Sequence, residues 1–419
     1  MIMRSALVAA LVMSASLVLA DTQPGDRITK ANAETVKDLV SPGLMWCVNH
    51  GLPMRIVETK PLSWPPAYKD ATEKYSSQVK LSEDGLRLEG YVAGAPFPHI
   101  DVQDPKVALK LVWNYNYKSI NNDDVDLRNF DSDTGTVSDE RALSIERHFL
   151  IDHFRRLWYV NRLYVDPKPN MQPNKEDVAY KETLHPLIEP FDLKGVGFTY
   201  YRYLDPSRQD DSWLYLPSLR RVRRLSTAQR SDALFGQDTD VDSYYGYSGQ
   251  PAWMEWKYLG EKVILGIRHA ENFPVKWADP PADWAFDDVW EKIPVYVVEG
   301  VSKLPQYAYS KRVLYIDKEI YEIPYSDMYD KGGELYKIWI NDSKFDTKPF
   351  PGATKAVYPY SVVFAPAIVM VDLQLSHATK ASLPSSRFPG EEGWYYNMGA
   401  REGTTEDAFT IAELIGSGH

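Results

Sequence analysis

The segment Leu219-Arg220-Arg221-Val222-Arg223-Arg224-Leu225 sets four arginines within five residues of a chain whose formal net charge is −11. On a strand, the period of two sends Arg220 and Arg224 to one face with Val222. Arg221 and Arg223 then go to the other face with Leu219 and Leu225. Whichever face lines a cavity, that cavity gains two guanidinium groups, which grip phosphate or carboxylate bidentately. The chemistry implied is a clamp for an anionic headgroup or a dock for an acidic partner. The competing reading is an edge strand whose arginines face water or pair with Asp210 and Asp211 across a hairpin.

Catalytic patterns are nearly absent. Gly246-Tyr247-Ser248-Gly249-Gln250 has a nucleophile-elbow look, but its second glycine falls one position early and no strand–turn–helix surrounds it, so it reads as a Gly-rich loop. There is no H-E-x-x-H, P-loop or G-x-G-x-x-G. His148, Asp152 and His153 are the best metal candidates. On a strand His148 and Asp152 share a face while His153 points away, and a hairpin at Asp152-His153 is the simpler account. Asp123-Asp124, Asp210-Asp211 and Asp287-Asp288 read as solvated loop charge, and a glycosidase carboxylate pair is indistinguishable from them by sequence. The expectation is a protein with no catalytic residue, no metal and no cofactor.

The other candidates for chemistry are aromatic. With 28 Tyr and 12 Trp, the chain is rich in side chains that pair an apolar body with a polar tip. Leu157-Trp158-Tyr159, Phe198 to Tyr203, Trp213 to Leu216 and Leu335 to Trp339 put aromatics on both faces of prospective strands. Core packing explains many of them. A sheet aromatic on both faces also has apolar surface to spare for an enclosed hydrophobic ligand. The expected cavity lining is a subset of Trp158, Tyr200, Trp213, Tyr215, Tyr315 and Trp339, with the inward parity left open. The polar stretch Ser226 to Pro251, with Tyr244, Tyr245 and Tyr247, reads as a lid or binding arm.

These residues need elements to position them. Of 419 residues, the first twenty read as a signal peptide: Arg4, an apolar run from Ala6 to Leu19, and a cleavage point near Ala20. No later stretch approaches the ~20 apolar residues of a membrane span, so the expected place is the periplasm. The negative charge argues against nucleic acid, and the single Cys47 excludes an intramolecular disulfide. Helices are expected at Ile28 to Val40, stopped by Ser41-Pro42-Gly43, and from Pro65-Pro66 with a Tyr68, Ala71, Tyr75, Val79 stripe. The period then changes to two, with Leu86, Leu88 and Val92. Strands are expected at Leu109 to Trp113, Leu143 to Ile151, Leu157 to Val165, Gly197 to Leu204 and Trp213 to Leu216. Further strands are expected at Trp253 to Leu259, Val295 to Val301, Arg312 to Ile316, Leu335 to Ile340 and Val369 to Leu375. The fold class is mainly β with N-terminal helices, a large antiparallel sheet curled into an incomplete β-barrel covered by helices. Residues 21–85 form the helical cover and 86–419 the sheet domain, with its long loop at 226–251.

Several stretches resemble a family of exported Gram-negative proteins of unknown function. They are Ala71-Thr72-Glu73-Lys74-Tyr75 with Leu81-Ser82-Glu83-Asp84-Gly85, Tyr91 to Pro98, Leu214 to Arg224, Leu234-Phe235-Gly236-Gln237-Asp238 and Lys311 to Asp317. That family is similar, more distantly, to the LolA/LolB type of outer-membrane lipoprotein-sorting proteins. The resemblance implies a half-closed barrel with an apolar cavity for acyl chains, and a place beside RND-type exporters of hydrophobic molecules. It implies a periplasmic carrier of a lipid or other hydrophobic molecule between an inner-membrane exporter and an outer-membrane acceptor. A non-carrying accessory subunit of such an exporter is the alternative, and a cell-envelope hydrolase the third reading.

Overall fold

The segment Val362–Asp372 is buried along its whole length, the mark of a strand covered on both faces. Phe364, Ile368 and Met370 join one core, and Ala367, Val369 and Val371 join another. The computed structural model describes residues 22–119, 123–226, 229–401 and 404–416, so the expected signal peptide lies outside the described residues.

Eighteen strands are present among the described residues. They are β1 (Arg27–Ile28), β2 (Met54–Ile56), β3 (Lys80–Leu81), β4 (Leu88–Glu89), β5 (Asp124–Thr136), β6 (Ser144–Trp158), β7 (Val178–Glu189), β8 (Gly197–Tyr203) and β9 (Asp211–Leu216). Then come β10 (Arg221–Arg224), β11 (Met254–Gly266), β12 (Val289–Ser302), β13 (Lys311–Asp317), β14 (Tyr325–Tyr329), β15 (Leu335–Asp346), β16 (Val362–Asp372), β17 (His377–Ser382) and β18 (Trp394–Tyr396). The helices are α1 (Pro42–Asn49), α2 (Pro66–Tyr75), α3 (Val107–Asn116) and α4 (Ile411–Gly416). All strands but β3 and β4 belong to one sheet. Its path runs β11-β12-β13-β14-β15-β16-β17-β5-β6-β7-β8-β9-β10, with β18 on β5 and the β1–β2 pair joined to β12. Neighbours are antiparallel except β2 and β12, which run parallel. The sheet is not closed: β10 and β11 are its two ends, and the segment joining them crosses the face on which α3 packs.

The two faces differ. On one, α1 lies against β15 and its neighbours, with Leu44, Cys47 and Val48 in a core that includes Trp284, Trp290, Ile338 and Ile340. On the other, hereafter the α3 face, Leu111, Val112 and Tyr115 of α3 join Leu127, Phe154, Leu314 and Trp339. Gly43 permits the close approach of α1, since a Cβ there would lie 2.5 Å from Asp327 Oδ1 and 3.0 Å from Ile338 Cβ. Ser41 caps the helix by accepting from the Leu44 amide at 3.1 Å, and donates to Asp327 at 2.9 Å.

Several expected elements take another form. Ser41-Pro42-Gly43 starts a helix instead of ending one, because a serine N-cap and proline at N1 are initiation signals. The preceding segment is β1 and a 3₁₀ turn over Lys30–Val36. Leu109 to Trp113 lies in α3: Ala108, Leu111, Val112 and Tyr115 recur at helical spacing, and a short apolar run fits either period. The hairpin at Asp152-His153 is absent, for β6 runs through it and His153 donates or accepts at Asp126, 2.7 Å away. His148 is likewise engaged by Asp133 at 2.8 Å. Leu86 to Val92 contributes only β4, paired to β3 in a separate small hairpin.

Burial pushes the Asp327 carboxyl up to about 7, against the hydrogen bonds from Ser41 and Gly43. Its folded pKa exceeds the unfolded value of ~3.9. The folded state therefore binds the extra proton between about pH 4 and 7, and stability falls as pH rises through that window. Asp327→Asn is expected to shrink the loss of urea midpoint between about pH 5 and pH 8. A variant whose pH dependence matches that of the native protein contradicts this assignment.

Candidate functional site

The segment from Gln229 to Trp253 is not a free arm. It is fastened to the α3 face by buried charge. Arg312 of β13, fully buried, donates through Nη2 to Ser243 Oγ at 3.0 Å and through Nε to Tyr307 Oη at 2.8 Å, and lies 3.6 Å from Asp240. Tyr309 Oη donates to Asp240 at 2.6 Å, and Tyr307 Oη donates to Asp242. Arg230 Nε donates to Asp242 at 2.5 Å. Arg202 of β8 grips Asp210 through Nε and Nη2, each at 2.8 Å at its shortest, and reaches the Ser248 carbonyl at 3.0 Å. Burial opposes ionisation of both Asp240 and Asp242. At Asp242 the cations Arg230 and Arg312 outweigh it and hold the carboxyl below the usual range; at Asp240 burial prevails and the carboxyl is raised.

This anchoring sets the three tyrosines of the segment. Tyr115 of α3 donates its hydroxyl to the Tyr247 carbonyl at 2.6 Å, and Ser326 donates to the Gly246 carbonyl at 2.9 Å. Tyr245 has φ of 60°, a left-handed conformation that is sparse for a bulky residue and costs of order 1–3 kcal/mol. The Tyr244 ring sits 6.0 Å from Phe154 and 6.1 Å from Trp339. Tyr247 is buried against Trp256.

Four voids follow one another along this face. The first, of about 250 Å³, is lined by Leu184, Phe198, Tyr200, Leu214, Leu225, Phe235 and Tyr244, with Asp210 and Arg230 among its polar walls. The second, of about 60 Å³, is almost wholly apolar, walled by Leu127, Phe154, Leu184, Trp339, Ile368, Trp394 and both Tyr244 and Tyr245. Two smaller ones, of about 40 and 30 Å³, share Tyr245, Lys118, Arg156 and Trp158. Tyr244 thus stands between the first and second voids, and Tyr245 between the second and the rest. A separate open groove of about 930 Å³ runs beside α2, with Trp64, Lys69, Glu73, Phe97 and His99 on its walls.

Of the expected cavity aromatics, Trp158, Tyr200 and Trp339 reach these voids. Strand alternation sends the other three to the opposite side. Trp213 meets the Tyr201 ring there, and Tyr215 lies opposite Gly197, whose outward side faces Leu414 of α4. Tyr315 packs on Tyr325 in the α1 core. The arginine cluster lies on the exposed end strand β10, with Arg220 in a left-handed turn just before it. Arg224 pairs with Asp211. Asp210 is taken by Arg202 and Arg230 instead. Arg221 and Arg223 share a face with Leu225, which lines the first void, and among the described residues Arg220, Arg221 and Arg223 make no ion pair. Arg312, Lys118, Arg156 and Glu322 escaped the sequence reading, since nothing in the local spacing of any of them marks a buried charge. Among the described residues no group of three or more His, Cys, Asp or Glu is placed to hold a metal.

The family model described as a protein of unknown function (DUF1329) matches residues 27–414. No curated protein sequence matches the chain. Among solved structures it is similar to a domain from Vibrio parahaemolyticus described as an outer membrane lipoprotein-sorting protein, at 16% identity and TM-score 0.48, over 74% of this chain and 98% of that one. A DUF1329 family protein from Desulfovibrio piger matches at 14% identity and TM-score 0.47, with the same coverage of 74% and 98%. A LolA superfamily protein from Nitrosomonas europaea matches at 15% identity and TM-score 0.35, over 62% and 84% of the two chains.

Proposed function

We propose that this protein, which belongs to the DUF1329 family of proteins of unknown function, is a carrier that holds a lipid or other hydrophobic molecule on its α3 face. The observation that carries the reading is the row of voids with the rings of Tyr244 and Tyr245 standing between them. The largest is close to the lower end of ligand-pocket size, about 300 Å³. Moving the two rings aside joins it to the apolar void beyond. The rings occupy surface that a chain would otherwise cover, so binding exchanges one set of apolar contacts for another. Each Å² of ligand surface buried contributes ~25 cal/mol, and displacing the rings offsets part of it. That exchange keeps binding reversible, as a shuttle requires.

The wider role we propose is transfer within the cell envelope, from an inner-membrane exporter of the RND type to an outer-membrane acceptor. The signal-peptide reading of the first twenty residues supports export. No helix among the described residues is long and apolar enough to cross a membrane. Arg220, Arg221 and Arg223 supply an exposed positive edge beside the first void, suited to an anionic headgroup or an acidic docking surface.

Two expected outcomes test this. Tyr244→Ala with Tyr245→Ala is expected to bind the apolar fluorophore N-phenylnaphthylamine several-fold more tightly than the native protein, since nothing need be displaced. No binding by either form counts against a carrier. Arg221→Gln with Arg223→Gln is expected to melt at the native temperature but to lose affinity for anionic vesicles, with a weaker salt dependence. Early melting with undiminished vesicle binding would instead assign these arginines to structure.

A further inference from the structure

The row of voids has charged walls at both ends, Asp210 and Arg230 at the first void and Lys118 and Arg156 at the last, with the almost wholly apolar void between them. At the last end, behind Tyr245, two voids of about 40 and 30 Å³ share the two cationic walls. Both side chains are more than nine-tenths buried, as is Glu322 on the wall of the larger of these two voids. Arg156, whose Nη2 lies against Glu182 without a hydrogen bond of its own, is tied to that carboxylate by Nε donating at 2.6 Å. Lys118 has no such tie. Its nearest carboxylate oxygen, Glu322 Oε2, is 3.8 Å away, beyond hydrogen-bond reach. That oxygen accepts no hydrogen bond, and among the described residues nothing accepts from Lys118 Nζ. The ammonium rests on ring faces, 4.0 Å from the centroid of Tyr115 and 5.4 Å from that of Tyr245.

A buried ammonium held by ring faces and a distant carboxylate has unspent donors aimed into a cavity, which is unusual in a folded interior. We propose that these donors read the carboxylate end of a single-chain amphiphile, which lies between Lys118 and Arg156 while its hydrocarbon passes Tyr245 into the apolar void. This rests on the carrier reading and narrows the cargo to acids of the fatty-acid type.

Three observations support it. The polar and apolar voids are contiguous, since Tyr245, Asn341, Ala365 and Trp394 wall both. The polar voids, of about 40 and 30 Å³, are the smallest of the row, which suits a compact end group such as a carboxylate. The charge also closes: two cations already face Glu182 and Glu322, and burial pushes the Glu322 carboxyl above the usual carboxylate range and the Lys118 ammonium below its own, so that an incoming carboxylate favours the charged ammonium again. A proton taken up by Glu322 leaves Lys118 free to serve the incoming carboxylate.

The test is calorimetric titration near neutral pH with dodecanoate and with 1-dodecanol, which share a chain and differ in the end group. The native protein is expected to bind dodecanoate about tenfold or more tightly than dodecanol, the scale of charge-assisted hydrogen bonds. Lys118→Met with Glu322→Gln removes both charges together and leaves neither stranded. It is expected to bring dodecanoate down to the affinity of dodecanol and to leave dodecanol unchanged. Equal native affinities for the two ligands overturn the proposal while leaving the carrier reading in place, and they do so whether or not the variant folds. A folded variant that keeps the preference overturns it as well. Failure of the native protein to bind either ligand overturns the carrier reading and this one with it.

Discussion

Arg312 is a fully buried guanidinium on β13, a strand paired on both sides, and such a group is tolerable only when fully paired. One of its nitrogens meets Met328 Sδ of β14 at 3.2 Å, but its oxygen partners come from outside the sheet. Asp240 and Ser243 belong to the segment joining the two end strands, and Tyr307 to the turn before β13. Pairing the arginine therefore pulls that segment onto the α3 face, and removing one partner of such a pair generally costs about 3–5 kcal/mol. Tyr244, Tyr245 and Tyr247 follow immediately, so their placement is a consequence of the ionic anchor. Asp242 with Arg230, and Asp210 with Arg202, extend the same arrangement toward β8 and β9.

The sheet consequently has two unlike sides. Against α1 the packing is that of a solid core: Trp284, Trp290, Phe286 and Ile293 are fully buried, and Gly43 lets the helix backbone come close to β15. On the α3 face the covering layer is a short helix and an irregular segment. Large flat rings meet there at angles, as in the T-shaped contact of Phe154 with Tyr244, and leave gaps that branched aliphatic side chains would fill. Tyr115 holds the carbonyls of Tyr245 and Tyr247, and Ser326 that of Gly246 between them, while the tyrosine rings stay on the cavity walls.

Much of the sheet was legible in the chain. Phe198 to Tyr203, Trp213 to Leu216 and Arg312 to Ile316 alternate or carry enough β-branched and aromatic residues to read as strands, and each is one. Leu109 to Trp113 misleads because five apolar-rich residues satisfy both periods, and Ala108 and Tyr115 lie outside the window that seemed decisive. Val178–Glu189 went unread because Lys181, Glu182 and His185 interrupt its apolar residues, and Glu182 is the buried partner of Arg156 on the neighbouring strand. The arginine cluster was visible because its charges are adjacent. The charges that organise the interior were not: Arg312 and Asp240 are 72 positions apart and Lys118 and Glu322 are 204 apart, and each is unremarkable in its own neighbourhood. Pairing of that kind is written in the topology, not in local spacing. The motif Lys311 to Asp317 and the motif Leu234 to Asp238 were recognisable as a resemblance, and the fold shows why they go together: one holds Arg312, and the other leads directly into Asp240.

The central claim is that the face beneath the anchored tyrosines holds a hydrophobic molecule. The most direct measurement is native mass spectrometry of the protein purified without detergent from its own host, with extraction of whatever the complex releases. The account predicts a bound species of one hydrophobic chain, at up to one per protein, that leaves on gentle activation. A protein that runs solely at its polypeptide mass, and stays so after incubation with lipid extract from the same cells, would contradict it.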